Sequence, residues 1–404
     1  MSDMAGIVVI GAGQAGASLV ARLRMKGYAG AITLIGAEGV PPYQRPPLSK
    51  GYLLGDLSAE RLFLRPESFY ADQGIVLRMG AVVDGIDPAR QEVSLDGAAL
   101  PYDQLALTTG ARPRRLPAAI GGDLAGVHVL RGLADVDAMA PEVAPGRRVV
   151  IVGGGYIGLE AAAVAAKRGL DVTVVELAPR ILQRVAAAET SDYMRALHIA
   201  HGVRVLEGVG LERLSGEGHV TGARLSDGRE LPADFVIVGV GVMPDTALAG
   251  DAGLYLDNGI ATDAQGRTSD PRIWAAGDCA SFPSHGGRLR LESVQNAIDQ
   301  AELVADNMLD GARDYAPVPW FWSDQYDLKL QIAGLNTGYD RVVVRDAPGA
   351  RSHWYFKGDG LLAVDAMNDP RAYMVGKRLL EAGRSPSAGA VADAGSDLKA
   401  LLRA

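Results

Sequence analysis

Two glycine-rich runs carry the most legible chemistry of this chain: Gly11-Ala12-Gly13-Gln14-Ala15-Gly16 and Gly153-Gly154-Gly155-Tyr156-Ile157-Gly158. Each follows an apolar run, Ile7 to Ile10 before the first and Val149 to Val152 before the second, and each leads into an Ala/Leu-rich helical stretch. Such a pattern is weak alone, but between a strand and a helix it marks a dinucleotide site. The first glycine makes the turn, the second lets the backbone approach a pyrophosphate, and the third lets helix pack on strand. The phosphate then meets the positive end of the helix. Two such sites imply two dinucleotides that exchange electrons.

The acidic residues beyond each loop distinguish the two. Glu176 ends the run Val172 to Val175, where a carboxylate accepts hydrogen bonds from ribose hydroxyls. A 2′-phosphate there would add like charge, costing about 4 kcal/mol at about 4 Å and an effective dielectric near 20. A hydrogen bond to a charged group is worth only about 1.5–3 kcal/mol. The second site therefore favours NADH over NADPH, with Arg180 and Arg184 as the nearby residues that would shelter a phosphate. The first unit is less regular. Its strand ends Ile35-Gly36-Ala37 and the acid comes only at Glu38, so the ribose contact falls to Glu38 or to backbone groups. Far downstream, Ile273-Trp274-Ala275-Ala276-Gly277-Asp278 ends an apolar strand in Gly-Asp. Asp278 there suits a ribityl hydroxyl, which FAD has and NAD lacks; an ordinary helix N-cap is the alternative reading.

Further motifs point to a family. Arg45-Pro46-Pro47-Leu48-Ser49-Lys50 after Pro42-Tyr43, Gly153 to Glu160, and Trp320-Phe321-Trp322-Ser323-Asp324-Gln325-Tyr326 together resemble the two-dinucleotide flavoprotein oxidoreductases. Within them the resemblance is to FAD-dependent ferredoxin reductases of the putidaredoxin reductase type, and it runs end to end. An acid commonly stands in that branch where Ala37 stands here. The resemblance implies a Lys50–Glu160 ion pair beside the flavin ring, the cation favouring the reduced, anionic flavin and the buried ammonium requiring a partner. From spacing alone both read as surface charges. It also implies cofactor contacts at Arg45, Val83, Thr109, Gly110, Arg131, Val294, Trp322 and Gly241. Trp320 and Trp322 would cover the flavin, or else are ordinary aromatic core.

Disulfide reductases on this fold pass electrons through a cysteine pair. Cys279 is the only cysteine here, and it reads as a small buried hydrophobe. Electrons must then leave the flavin directly. The implied activity is an NADH-dependent ferredoxin reductase that feeds a [2Fe–2S] ferredoxin, and through it a cytochrome P450 or other oxygenase. Two other readings fit the same residues: a rubredoxin or dioxygenase-component reductase, and a non-catalytic NADH-binding flavoprotein that signals by conformation. Ferredoxins of this kind are usually acidic, which makes Lys377, Arg378, Arg384 and Lys399 docking candidates or, equally, solubilising charges.

The elements that must position these groups follow from the pattern. Strand 6–10, helix 14–26 and strand 32–35 form one βαβ start; strand 148–152, helix 156–168 and strand 172–176 form another. Runs 105–113 and 235–244 each end in a Gly/Pro turn and read as crossings between domains. The expected architecture is α/β, with two Rossmann-like, glutathione-reductase-like domains and a smaller α+β C-terminal domain. The FAD-binding domain takes residues 1–111 and 241–315, the NAD-binding domain 112–240, and the C-terminal domain 316–404. The Ala/Ser/Gly-rich tail from Gly383 to Gly395 is expected to be mobile.

Length and composition fit this plan: 404 residues, 48% hydrophobic and 22% charged, with a net charge of −8 that disfavours broad nucleic-acid binding. No apolar run approaches the roughly 18 residues of a membrane span. The leader Met1-Ser2-Asp3 lacks the positive charge of an export signal, so a cytoplasmic protein is expected. His198 and His201 are spaced for one helix face, but no further ligand completes a metal site.

Overall fold

The computed structural model describes residues 6–284 and 287–403, in two compact units. The leader Met1-Ser2-Asp3 lies outside the described residues. Among those described, no helix is long and apolar enough to cross a membrane.

The first unit comprises residues up to 44, 59–112 and 242–317. Its centre is a five-stranded parallel sheet in the order Ile273–Ala275, Gln104–Leu107, Ile7–Ile10, Ile32–Gly36, Ile75–Met79. Ile7–Ile10 is buried on both faces, which is why it reads as an unbroken apolar run rather than an alternation. Ile7 and Val9 pack under the helices Gln14–Met25 and Val294–Met308, through Leu19, Leu23, Ala301 and Val304. Val8 and Ile10 face the other way, against Val83 and Val93 of a three-stranded antiparallel sheet and Ala249 of the helix Ala247–Asp251.

The second unit comprises residues 45–58, 113–241 and 318–404. It repeats the parallel theme in the order Arg204–Glu207, Asp171–Glu176, Arg148–Val152, Phe235–Val238, Val127–Val129, with the helix Tyr156–Lys167 following the central strand. It also contains a five-stranded antiparallel sheet in the order Trp320–Gln325, Leu328–Gly334, Gly360–Met367, Ala350–Lys357, Arg341–Ala347. Val364 and Ala366 of that sheet pack on Val375 and Leu379 of the helix Pro370–Glu381. Leu328, Leu330 and Met367 join Leu159, Ile181 and Met194 in one buried cluster, so the antiparallel sheet and the nucleotide-type fold share core. The α/β class and the α+β C-terminal part are thus as expected from the sequence.

The tail differs from expectation. Residues Ala388–Ala392 form a short helix whose Val391 is buried. The Arg345 guanidinium, on a distant strand, donates to the carbonyls of Val391 at 3.0 Å, Ala394 at 3.1 Å and Ser396 at 2.8 Å, as well as to Asp393. Small side chains bury little area, but this one cation collects the tail's carbonyl oxygens and docks it. Ser385 adds a hydroxyl that accepts the Leu361 N–H at 2.8 Å.

Candidate functional site

The two glycine loops are built alike. Gly11 and Gly153 both lie in the left-handed region, at φ +110° and +108°. A Cβ on Gly11 would stand 2.2 Å from the Thr108 carbonyl oxygen; one on Gly153 would stand 2.4 Å from that of Gly239. A Cβ on Gly16 would meet the Gly11 oxygen at 2.0 Å, and one on Gly158 the Gly153 oxygen at 2.1 Å. Only hydrogen fits at these four positions, because the loop folds back on its own strand and on the neighbouring one. Gly13 and Gly155 differ: a Cβ there meets nothing within 4 Å. Each is the N-cap of its helix, without a capping side chain or an acid in the first turn. Open space before a helix start with orphan N–H groups fits a pyrophosphate. Both loops therefore suit the dinucleotides that the sequence implies.

In the first unit the expected residues gather at the carboxyl ends of parallel strands, where ligands of open α/β sheets bind. Gly11 follows Ile7–Ile10, Ala37 and Glu38 follow Ile32–Gly36, Thr109 and Gly110 follow Gln104–Leu107, and Gly277 and Asp278 follow Ile273–Ala275. Gly277, at φ +83°, lies so near Ala15 that its own Cβ would stand 3.0 Å from the alanine methyl. Its N–H donates to Gln300 Oε1 at 2.9 Å, which holds the Gly-Asp turn beside the glycine loop. The Thr109 hydroxyl donates to the Asp245 carbonyl at 2.6 Å. Val83 opens the strand Val83–Asp87 and is buried; Val294 opens the helix Val294–Met308.

Register explains the irregular ribose position. Ile35 pairs with Ile10 as Val175 pairs with Val152, so Gly36 occupies the place that Glu176 holds in the other fold. A Cβ on Gly36 would stand 2.6 Å from that of Ala12. Glu38, two residues on, accepts the Tyr43 hydroxyl at 2.5 Å.

In the second unit Glu176 is pinned by two backbone amides. Gly154 N–H donates to Oε2 and Ala178 N–H to Oε1, both at 2.7 Å. The carboxylate is thereby fixed at the turn of the glycine loop. Arg180 faces inward and donates to the Ala187 and Gln183 carbonyls and to the Ser191 hydroxyl. Tyr156 packs on Phe321 with ring centroids 4.8 Å apart, Ile157 is exposed, and Gly241 takes φ +93° beyond the strand Phe235–Val238.

The segment Arg45 to Lys50 folds with the second unit. Two prolines start its 3₁₀ turn, Pro46–Ser49, and Lys50 follows as the C-cap. Lys50 Nζ lies 2.7 Å from Glu160 Oε2, with Glu160 almost wholly buried in the helix Tyr156–Lys167. Arg45 donates to the Arg131 carbonyl at 2.8 Å. Two residues within the quoted motifs had no assigned role and prove central. Ser49 donates to Glu160 Oε2 and Ser323 to Oε1, each at 2.6 Å. Trp322 tilts against Trp320, centroids 5.6 Å apart, in the strand Trp320–Gln325. His198 and His201 both meet Tyr326, the first edge-on and the second stacked at 3.6 Å.

Cys279 is buried completely in the first unit, its thiol directed at the carbonyls of Ala276 and Leu107. Burial raises its pKa and so disfavours the thiolate that redox chemistry needs.

Comparison with known proteins agrees with this architecture. Residues 5–301 match the pyridine nucleotide-disulphide oxidoreductase family and residues 320–402 the reductase C-terminal family. The chain is 45% identical to a ferredoxin–NAD(P)(+) reductase of Sphingomonas sp., covering 93% of this chain and 92% of the relative. It is 44% identical to rhodocoxin reductase of Rhodococcus erythropolis, covering 98% and 94%. In the crystal structure of the covalent putidaredoxin reductase–putidaredoxin complex, the reductase-like chain superposes with a TM-score of 0.96 at 39% identity, covering 100% of this chain and 99% of that one. The chain belongs to the pyridine nucleotide-disulphide oxidoreductase family, and its members of ferredoxin reductase type depend on FAD and NAD(H).

Proposed function

We propose that this chain is an NADH-dependent, FAD-containing ferredoxin reductase acting in the cytoplasm, with a [2Fe–2S] ferredoxin as acceptor and a cytochrome P450 or other oxygenase beyond it. The carrying observation is a pair of identically built glycine loops in a chain whose one thiol is sealed in the core. Two dinucleotides have a place, and a dithiol relay has none. When bound, FAD supplies the conversion between the two-electron hydride of NADH and the one-electron steps of an iron–sulfur partner.

The residues divide the remaining work. Gly11, Gly13 and Gly16, with Gly277 and Asp278, hold FAD; Gly153, Gly155 and Gly158, with Glu176, hold NADH. Glu176 selects the 2′-hydroxyl because its carboxylate cannot swing from a 2′-phosphate without releasing two amide donors. Arg180 spends part of its guanidinium on the protein, which leaves the exposed Arg184 as the cation nearest in sequence to shelter a phosphate. Lys50 supplies positive charge that favours the electron-rich flavin, and Glu160 makes that cation tolerable in a buried setting.

A cavity with several basic residues in its lining lies within the second unit. Its volume is about 590 Å³, and it is lined by the apolar Pro370, Met374, Val375 and Leu402 and by the cations Arg371, Arg378, Lys399 and Arg403. No carboxylate is among its described lining residues. We assign it to an acidic ferredoxin. Arg378 and Lys399 thus share one groove. Lys377 instead pairs with Glu381 and lies over Trp320, and Arg384 donates to the Leu402 carbonyl.

The test is anaerobic mixing of the FAD-loaded protein with NADH, then with ferredoxins encoded in the same genome and cytochrome c as terminal acceptor. Rapid bleaching of the flavin, with turnover dependent on one ferredoxin, is the expected result. Slow bleaching with no ferredoxin-dependent turnover overturns the reading.

A further inference from the structure

Behind the Lys50–Glu160 pair runs a buried line of hydrogen bonds within the second unit. Tyr326 Oη lies 3.1 Å from His198 Nδ1, His198 Nε2 2.7 Å from Gln325 Oε1, Gln325 Nε2 3.1 Å from Ser323 Oγ, and Ser323 Oγ 2.6 Å from Glu160 Oε1. His198, Gln325 and Ser323 are all at least 99% buried.

Donor inventory gives this line a single direction. Ionised Glu160 only accepts, so the Ser323 hydroxyl spends its proton there. Ser323 must then accept from the Gln325 amide nitrogen, which turns the Gln325 oxygen toward His198. That oxygen only accepts, so Nε2 of His198 carries the proton and Nδ1 accepts from Tyr326. Burial lowers the His198 pKa to about 4, in keeping with a neutral ring. All four donors point at one carboxylate, and hydrogen bonds aligned in this way polarise one another.

We infer that Ser323, Gln325 and His198 are positioning residues that hold Glu160 Oε1 away from Lys50, so that the ammonium meets one carboxylate oxygen and keeps more of its field for the flavin. The inference rests on the proposed role of the pair in flavin reduction. Without the donor line, Oε1 is left short of partners and turns to the nearest cation, Lys50 Nζ, already 2.7 Å from its twin oxygen. Lys50 is then more fully neutralised and flavin reduction becomes less favourable.

The experiment measures the flavin midpoint potential of the holoprotein by anaerobic dye-coupled titration, in wild type, Ser323→Ala, Gln325→Met and Lys50→Met. FAD content and melting temperature are recorded for each. Ser323→Ala removes the donor to Oε1 and is expected to shift the two-electron equilibrium about tenfold toward oxidised flavin, which is about 30 mV. Gln325→Met keeps that donor but ends its polarisation by the rest of the line, and is expected to shift the equilibrium about twofold in the same direction. NADH affinity should stay within threefold of wild type. Gln325→Met keeps side-chain length and gives the reading even where Ser323→Ala fails to load FAD. If Lys50→Met lowers the potential and neither line variant does, the positioning role is overturned and the role of the pair stands. If Lys50→Met also leaves it unchanged, the pair has no electrostatic role at the flavin and both readings fall.

Discussion

Replacing Glu176 by Gln tests the assignment of the second loop most directly. The side chain keeps its size and loses its charge. In the structure both carboxylate oxygens are tied at 2.7 Å to the amides of Gly154 and Ala178, so the charge cannot retreat from a bound ribose. A phosphate held about 4 Å away is opposed by about 4 kcal/mol at an effective dielectric near 20, and by about 2 kcal/mol if it backs off to about 8 Å. Removing that opposition should narrow the preference for NADH over NADPH by about 30- to 1,000-fold. NADH binding itself should weaken by about tenfold, because Gln offers one acceptor oxygen to two backbone donors and one N–H goes unpaired. The variant should not come to prefer NADPH, since the substitution removes a repulsion but supplies no new cation for the phosphate. Stopped-flow bleaching of the flavin, titrated with each nucleotide, reads affinity and limiting rate separately. A selectivity ratio within threefold of wild type, with FAD content intact, would refute the electrostatic argument.

Other perturbations probe other parts of the molecule. Gly13→Ala places a methyl in open space and should leave the melting temperature nearly unchanged while weakening FAD binding at least ~10-fold. Gly16→Ala drives a methyl to 2.0 Å from the Gly11 oxygen and should prevent accumulation of folded protein; equal melting temperatures for the two variants would count against the loop geometry. Asp365 is buried beside Tyr355 and Thr190, and burial raises its pKa from 3.8 to about 6. Its stabilising contribution is complete below the unfolded-state pKa and is lost as pH rises through 6. Asp365→Asn should therefore gain stability over wild type by about 1 kcal/mol more at pH 8 than at pH 5, read from urea unfolding followed by tryptophan fluorescence. A gain that does not grow with pH would contradict it. Finally, Arg378→Glu with Lys399→Glu should raise the ferredoxin KM about tenfold at low salt, with the difference fading near 0.5 M salt. An unchanged KM at low salt would move docking elsewhere.

Some of this protein is settled by local chemistry and is therefore legible along the chain. A strand that must turn into a helix within a few residues, against its own carbonyl oxygen, admits only glycine at Gly11, Gly16, Gly153 and Gly158. Glu176 follows from the length of the strand that carries it. The single cysteine settles the absence of a dithiol relay by count alone. What the chain order hides is whatever depends on partners distant in sequence. Ser49 and Glu160 stand 111 positions apart, and Ser323 and Glu160 are 163 apart, yet they share one carboxylate. No local rule assigns a serine or a glutamine to such a task; only packing the antiparallel sheet against the helix Tyr156–Lys167 brings them to it. The tail from Gly383 to Gly395 shows the same limit, because its order is supplied by Arg345, which lies outside it. Backbone sterics act over a few residues and can be read in one dimension. Charge burial must be satisfied in three, and the tertiary structure alone decides which groups satisfy it.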